Sequence, residues 1–219
     1  MLLTIDAVLD EIRLAELRRD LERMPFVDGR ATAGWSARTV KRNAQADADP
    51  LVEQWANEVR AALAKNGVFR LAAQPKRIIG PLFSRYVPGD QYGTHVDDPI
   101  LDGARADLAF TLFLGDPGSY DGGELVIDTA AGEDAHKLAA GCLVLYPATT
   151  LHRVAPVTRG ERHAAVGWVR SLVRDAQRRE LLFDLETARR RLYKAHGKTP
   201  DFDLLSKCSA NLMRLWCED

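Results

Sequence analysis

Between residues 78 and 172 the sequence changes texture, and this change constrains the fold more than any other feature. Short apolar runs at 82–86, 108–114, 124–128, 142–146, 153–157 and 162–169 alternate with turn signals. Among these signals are Pro88-Gly89-Asp90, Gly115-Asp116-Pro117-Gly118, Asp121-Gly122-Gly123, Ala140-Gly141 and Arg159-Gly160. Runs this short at this spacing predict antiparallel strands in a sandwich or barrel. On both sides the period is helical. Leu14, Leu17, Leu21 and Met24 recur at threes and fours, with Asp6 as the expected cap and Pro25 as the stop. Leu51, Trp55, Val59 and Leu63 predict a second helix over 51–65, ended by Asn66-Gly67. Residues 28–50 are rich in Gly, Ala, Asn and Asp and read as loop. Beyond Asp175, one stripe joins Leu181, Leu185, Ala188 and Leu192, and a second joins Leu204, Cys208, Leu212 and Leu215. The expectation is an α+β, mainly β, single unit. A helical support region spans 1–77, a β core 78–174 and a C-terminal helical region 175–219.

Composition removes several classes of protein. Of 219 residues 46% are hydrophobic, which excludes a disordered chain. The charges nearly balance, 30 Lys+Arg against 31 Asp+Glu, so nothing global points to nucleic acid. No apolar run approaches the roughly 18–20 residues of a membrane span. The start, Met1 to Asp6, lacks a basic segment followed by a long apolar one, so a cytoplasmic protein is expected. Three widely spaced cysteines with no CxxC pair read as reduced thiols. Residues 170–194 carry eight Lys+Arg and four Asp+Glu, read as a solvated helix face.

The segment that carries chemistry runs from Tyr86 to Asp97. On a strand, residues two apart share a face, so His95 and Asp97 converge on one point. His152 is the best third member, because a turn at Tyr146-Pro147 feeds a new strand there. Two imidazoles and one carboxylate match the facial triad of non-haem Fe(II) oxygenases, which leaves open positions on an octahedral metal. Arg162 follows ten residues after His152, and a strand, a turn and a returning strand bring it back toward the metal. It shares a face with Ala164, Val166 and Trp168. An arginine buried there needs an anion, and its fork suits the carboxylate of a dicarboxylate co-substrate. Tyr86 is a candidate to hydrogen-bond that co-substrate or the substrate, with a core role as the alternative. Trp168 is a candidate wall of the co-substrate pocket, and Tyr92 a candidate substrate contact with turn packing as its alternative. Asp98 reads as a solvated loop acid. His136, His163 and His196 read as non-ligands.

The sequence resembles the PKHD-type hydroxylases, a bacterial branch of the prolyl 4-hydroxylase-like Fe(II)/2-oxoglutarate dioxygenases. The likeness runs nearly end to end. It includes Ala31-Thr32-Ala33-Gly34, Val40-Lys41-Arg42-Asn43, His95-x-Asp97, Asp121-Gly122-Gly123-Glu124-Leu125, Leu151-His152-Arg153-Val154 and Trp168-Val169-Arg170-Ser171-Leu172. The resemblance implies a double-stranded β-helix (jelly-roll) braced by helices. It implies iron held by His95, Asp97 and His152, and the distal carboxylate of 2-oxoglutarate held by Arg162. It implies oxidative decarboxylation to succinate coupled to hydroxylation by dioxygen, with ascorbate as a reductant. Some members are associated with iron uptake, which makes an iron-linked role conceivable, and the substrate stays open among a peptide, an amino acid, a siderophore-like molecule and another small molecule. The alternatives are a non-catalytic metal or oxygen sensor on the same fold, and a module that forms a homodimer through its C-terminal helices.

Overall fold

The computed structural model describes residues 1–218. Two antiparallel sheets face one another. The larger has seven strands in the order Leu3–Ile5, Leu143–Pro147, Leu108–Phe113, Arg162–Ser171, Pro75–Tyr86, Ala44–Ala46 and Phe26–Asp28. The smaller has five, in the order Gly132–His136, Leu125–Thr129, His152–Val154, Gln91–His95 and Lys41–Arg42. From Pro75 onward the main strands cross repeatedly from one sheet to the other, which is the jelly-roll plan.

Side-chain alternation assigns each face of the larger sheet. On the interior strand Leu108–Phe113, Leu108, Phe110 and Leu112 enter one apolar cluster, while Ala109 and Phe113 enter another. The first cluster lies against the helices and includes Leu17, Trp55, Val59, Leu63 and Phe69. The second lies between the sheets, where Phe113, Val144 and Tyr146 meet Leu125 and Ile127. A strand covered on both faces has no solvent side, so every residue of Leu108–Phe113 is buried. That is why this run reads as continuous apolar sequence rather than as alternation.

The helices follow the expected stripes with local corrections. The first spans Glu11–Leu21 and is capped by Asp10, which accepts from the Arg13 N–H at 2.8 Å; Asp6 is not the cap. Residues 3–5 form an edge strand paired with Leu143–Leu145. The second helix, Pro50–Lys65, ends at Asn66, but Asn66 also caps a further helix, Gly67–Ala73, by accepting from the Phe69 N–H. The stretch 28–50 is more than loop, since three short strands and two single 3-10 turns lie within or beside it. Strands of two or three residues carry no readable period, and tertiary pairing with longer strands creates them. The 153–157 run divides into His152–Val154 and Val157–Arg159, which join different partners.

The C-terminal helices are Ala176–His196, capped by Asp175, and Pro200–Trp216, capped by Thr199. The expected stripe of the former is displaced. Leu181 is exposed, and Arg179, Leu182 and Glu186 are the buried residues. Glu186 accepts from Arg189 and Arg190, and Arg189 also reaches Ser206 on the last helix. Part of the basic run is therefore a partly exposed polar brace on the buried Glu186. No described residue of Pro200–Trp216 is fully buried. No helix is long and apolar enough to cross a membrane.

Candidate metal centre

The smaller sheet brings the two distant histidines together by register. His152 begins its strand directly opposite His95, and their rings lie 4.3 Å apart. The strand Gln91–His95 stops at His95, so Asp97 is not its strand-face neighbour as alternation suggested. Asp97 instead follows in an irregular segment and still reaches the same point. Its Oδ1 is 3.7 Å from His152 Nε2. One ligand atom from each of His95, Asp97 and His152 lies within 4.8 Å of the others.

The surroundings prepare these groups for a cation. Each histidine Nδ1 faces a backbone carbonyl: Gly93 O at 2.9 Å from His95, and Thr150 O at 3.0 Å from His152. A carbonyl can only accept, so each Nδ1 carries its proton and each Nε2 is left as a lone pair. Burial, with the neighbouring His152 acting in the same direction, lowers the His95 pKa to about 3, so the ring stays neutral at ordinary pH. Burial raises the pKa of Asp97, whereas the neighbouring His152 and the Trp168 side chain favour its ionised form. Asp97 Oδ2 is buried with no hydrogen-bond partner. A divalent cation would relieve that orphaned oxygen, and two imidazoles with one carboxylate suit Fe(II). Tyr146 stands edge-on to the His152 ring at 5.1 Å and Tyr92 stacks on His95 at 3.6 Å, so both rings are held.

Arg162 stands across the cavity on the larger sheet, at the start of its strand and opposite Tyr86. It is 1% exposed. Its Nε donates to Gly123 O at 2.7 Å, but Nη1 and Nη2 have no partner. A buried guanidinium fork left open on one side is a receptor for a carboxylate. The rings of Tyr86 and Phe113 flank it at 5.2 and 5.5 Å. Burial raises the Tyr86 pKa to about 12, so its hydroxyl stays protonated.

One cavity joins these groups, and its lining includes all seven residues singled out by sequence: Tyr86, Tyr92, His95, Asp97, His152, Arg162 and Trp168. Leu82, Leu125 and Val166 give it apolar walls. Asp98 is exposed, as expected, yet it also lines the cavity, beside Gly34. His163 packs on Phe26 and His136 pairs with Asp134, both away from this cavity. Sequence reasoning missed one wall. Thr32, Lys41, Asn43 and Gln45 line it, from the segment read as loop. The strands there are too short to show a period, so only the family likeness through Val40-Lys41-Arg42-Asn43 marked this segment in the sequence.

Comparison with known proteins agrees with this construction. Residues 81–170 match the model of the 2OG-Fe(II) oxygenase superfamily. A PKHD-type hydroxylase of Acaryochloris marina is 52% identical over the whole of both chains, and one of Synechococcus elongatus is also 52% identical over both full lengths. Among solved structures, a Pseudomonas putida prolyl-4-hydroxylase superposes with a TM-score of 0.55 at 25% identity, covering 78% of this chain and 92% of that one. A Trichoplax adhaerens prolyl hydroxylase shares the fold with a TM-score of 0.57 at 15% identity, covering 77% and 82%. The fold and the His-Asp-His centre define a 2-oxoglutarate-dependent Fe(II) dioxygenase. Within that class, the chain belongs to the PKHD-type hydroxylase family.

Proposed function

We propose that this enzyme hydroxylates an organic substrate, with His95, Asp97 and His152 as the iron ligands and Arg162 as the anchor of 2-oxoglutarate. The observation that carries the assignment is the open fork of Arg162, buried and unpartnered in the same cavity as the three converging ligands. With iron bound, the centre supplies the oxidation: dioxygen is consumed, 2-oxoglutarate becomes succinate and carbon dioxide, and one oxygen atom enters the substrate. The protein's part is to bind, orient and shield. The backbone carbonyls of Gly93 and Thr150 keep the two imidazoles in the tautomer that offers Nε2. Arg162 would fix one end of the co-substrate within the cavity that the three ligands also line. Tyr86 stands beside Arg162 with a protonated hydroxyl. Trp168 supports the charge on Asp97 and walls that side.

Binding measurements separate these roles. Asp97→Ala and His152→Ala are expected to lose stoichiometric Fe(II) or Mn(II). Arg162→Met is expected to keep the metal while 2-oxoglutarate affinity falls about 10–100-fold, the loss of a charge-assisted pair. Calorimetry on the Mn(II)-loaded protein reads both. Succinate formation with Fe(II), ascorbate and 2-oxoglutarate tests turnover. Wild-type protein that binds metal but never binds 2-oxoglutarate would overturn the assignment.

A further inference from the structure

Lys41 is a buried cation that the dioxygenase chemistry leaves without a counter-charge. It is 7% exposed and lines the metal cavity. Its ammonium has three N–H donors. Thr32 Oγ1 takes one at 3.0 Å, and the Tyr92 ring lies 5.0 Å away. Asp97 attracts it through space, but among the described residues no carboxylate forms an ion pair with it. Asp28, the other acid that acts on it, is bound to Arg30. A buried ammonium held by one hydroxyl and a ring is costly unless an anion completes its surroundings.

The charges of the loaded site do not supply that anion. Iron brings two positive charges and Arg162 one. Asp97 and the two carboxylates of 2-oxoglutarate cancel all three. Lys41 then stands as the one unbalanced charge among the buried groups of the cavity; Asp98 is at its exposed edge. Its position is also specific. The Tyr92 ring contacts both the ammonium, at 5.0 Å, and the ring of His95, on which it stacks at 3.6 Å. One aromatic ring thus links the cation to the reaction centre. Asn43, two residues on, lines the same cavity with its amide buried beside the Tyr86 hydroxyl.

We propose that Lys41 receives a carboxylate of the prime substrate, so that the molecule oxidised is an organic acid. The carboxylate docks on the ammonium beside Tyr92, and the carbon skeleton attached to it extends across the Tyr92 ring toward the metal. The proposal rests on the dioxygenase reading of the site and adds the substrate's charge to it.

The test uses the full chain loaded with Mn(II) and 2-oxoglutarate, which does not turn over. The probes are a panel of N-acetyl amino acids and the matching N-acetyl amino amides, read as shifts in Tm and as dissociation constants. Wild type is expected to bind acids of the panel and to bind the matching amides at least about tenfold more weakly. Lys41→Met is expected to lose that discrimination, and Lys41→Arg to retain it. Both variants are expected to keep metal-dependent 2-oxoglutarate binding, with the fold checked by the Tm of the metal-free chain; Lys41→Gln replaces the Met variant if the latter does not fold. Equal binding of acids and amides, no binding of any acid, or acid binding that survives Lys41→Met would each overturn the proposal. So would a Lys41→Met variant whose 2-oxoglutarate affinity falls with that of Arg162→Met, because Lys41 would then belong to the co-substrate. Failure of wild type to bind 2-oxoglutarate at all is a separate result, and it strikes the dioxygenase reading instead.

Discussion

Arg162 and Lys41 are both cations in one cavity, and their chemistry makes them respond to burial differently. A guanidinium does not lose its proton in a protein, so Arg162 must wait for an anion with its fork exposed to the cavity. An ammonium can yield, and burial lowers the Lys41 pKa to about 8 against the opposing charges of Asp97 and Asp28. This has a measurable sign in the metal-free protein. Between about pH 8 and 10.5 the unfolded chain keeps the proton that the folded chain has lost, so stability gains with rising pH through that window. Below pH 8 the folded state carries the full cost of a buried charge, on the order of 1–3 kcal/mol. Lys41→Met is therefore expected to be more stable than wild type near pH 7, with the difference closing as pH rises toward 10.5. Urea unfolding at a series of pH values checks it, and a constant difference would refute it.

At the scale of elements, a glycine turn and a strand start act as one device. Gly123 has φ +68°, a left-handed conformation that suits glycine. Its carbonyl accepts from Arg162 Nε, and a Cβ there would stand 2.8 Å from Arg162 Cδ. The Asp121-Gly122-Gly123 turn is thus the cradle that aims the guanidinium, although 39 positions separate Gly123 from Arg162. Gly123→Ala is expected to weaken 2-oxoglutarate binding by about tenfold or more while the metal site, built on the other sheet, keeps its stoichiometry. Titration of the Mn(II)-loaded variant reads both quantities; loss of metal together with the co-substrate would show the turn to be a general structural support. The split between the two sheets explains the difference. His95 and His152 are neighbours across one register, whereas Arg162 belongs to the opposite sheet.

At the scale of the molecule, the helices and the chemistry occupy opposite faces of the larger sheet. Phe83 is fully buried on the helix side, while its neighbours Leu82 and Ser84 line the cavity. Phe83→Ala is expected to cost about 3–5 kcal/mol of stability through the void it leaves. Metal affinity of the molecules that remain folded should be unchanged, a combination that denaturant titration and metal binding can test. This arrangement also shows what was readable beforehand. Apolar period alone determined the helix–sheet–helix order and the stripes at Trp55, Val59 and Leu63, because burial of one face repeats every turn or every second residue. Residue chemistry and the His95-x-Asp97 spacing, together with the family likeness, picked out His95, Asp97, His152 and Arg162, which the structure gathers in one cavity. Sequence by itself did not determine that Asp97 lies beyond the strand, that Leu182 rather than Leu181 faces inward, or that residues 41–46 pair into the sheets. Nor did it show that Lys41 shares the cavity. These follow from pairing and packing between segments far apart in the chain. A strand of two residues has no period to read, and a lysine's burial is decided by the wall that closes over it.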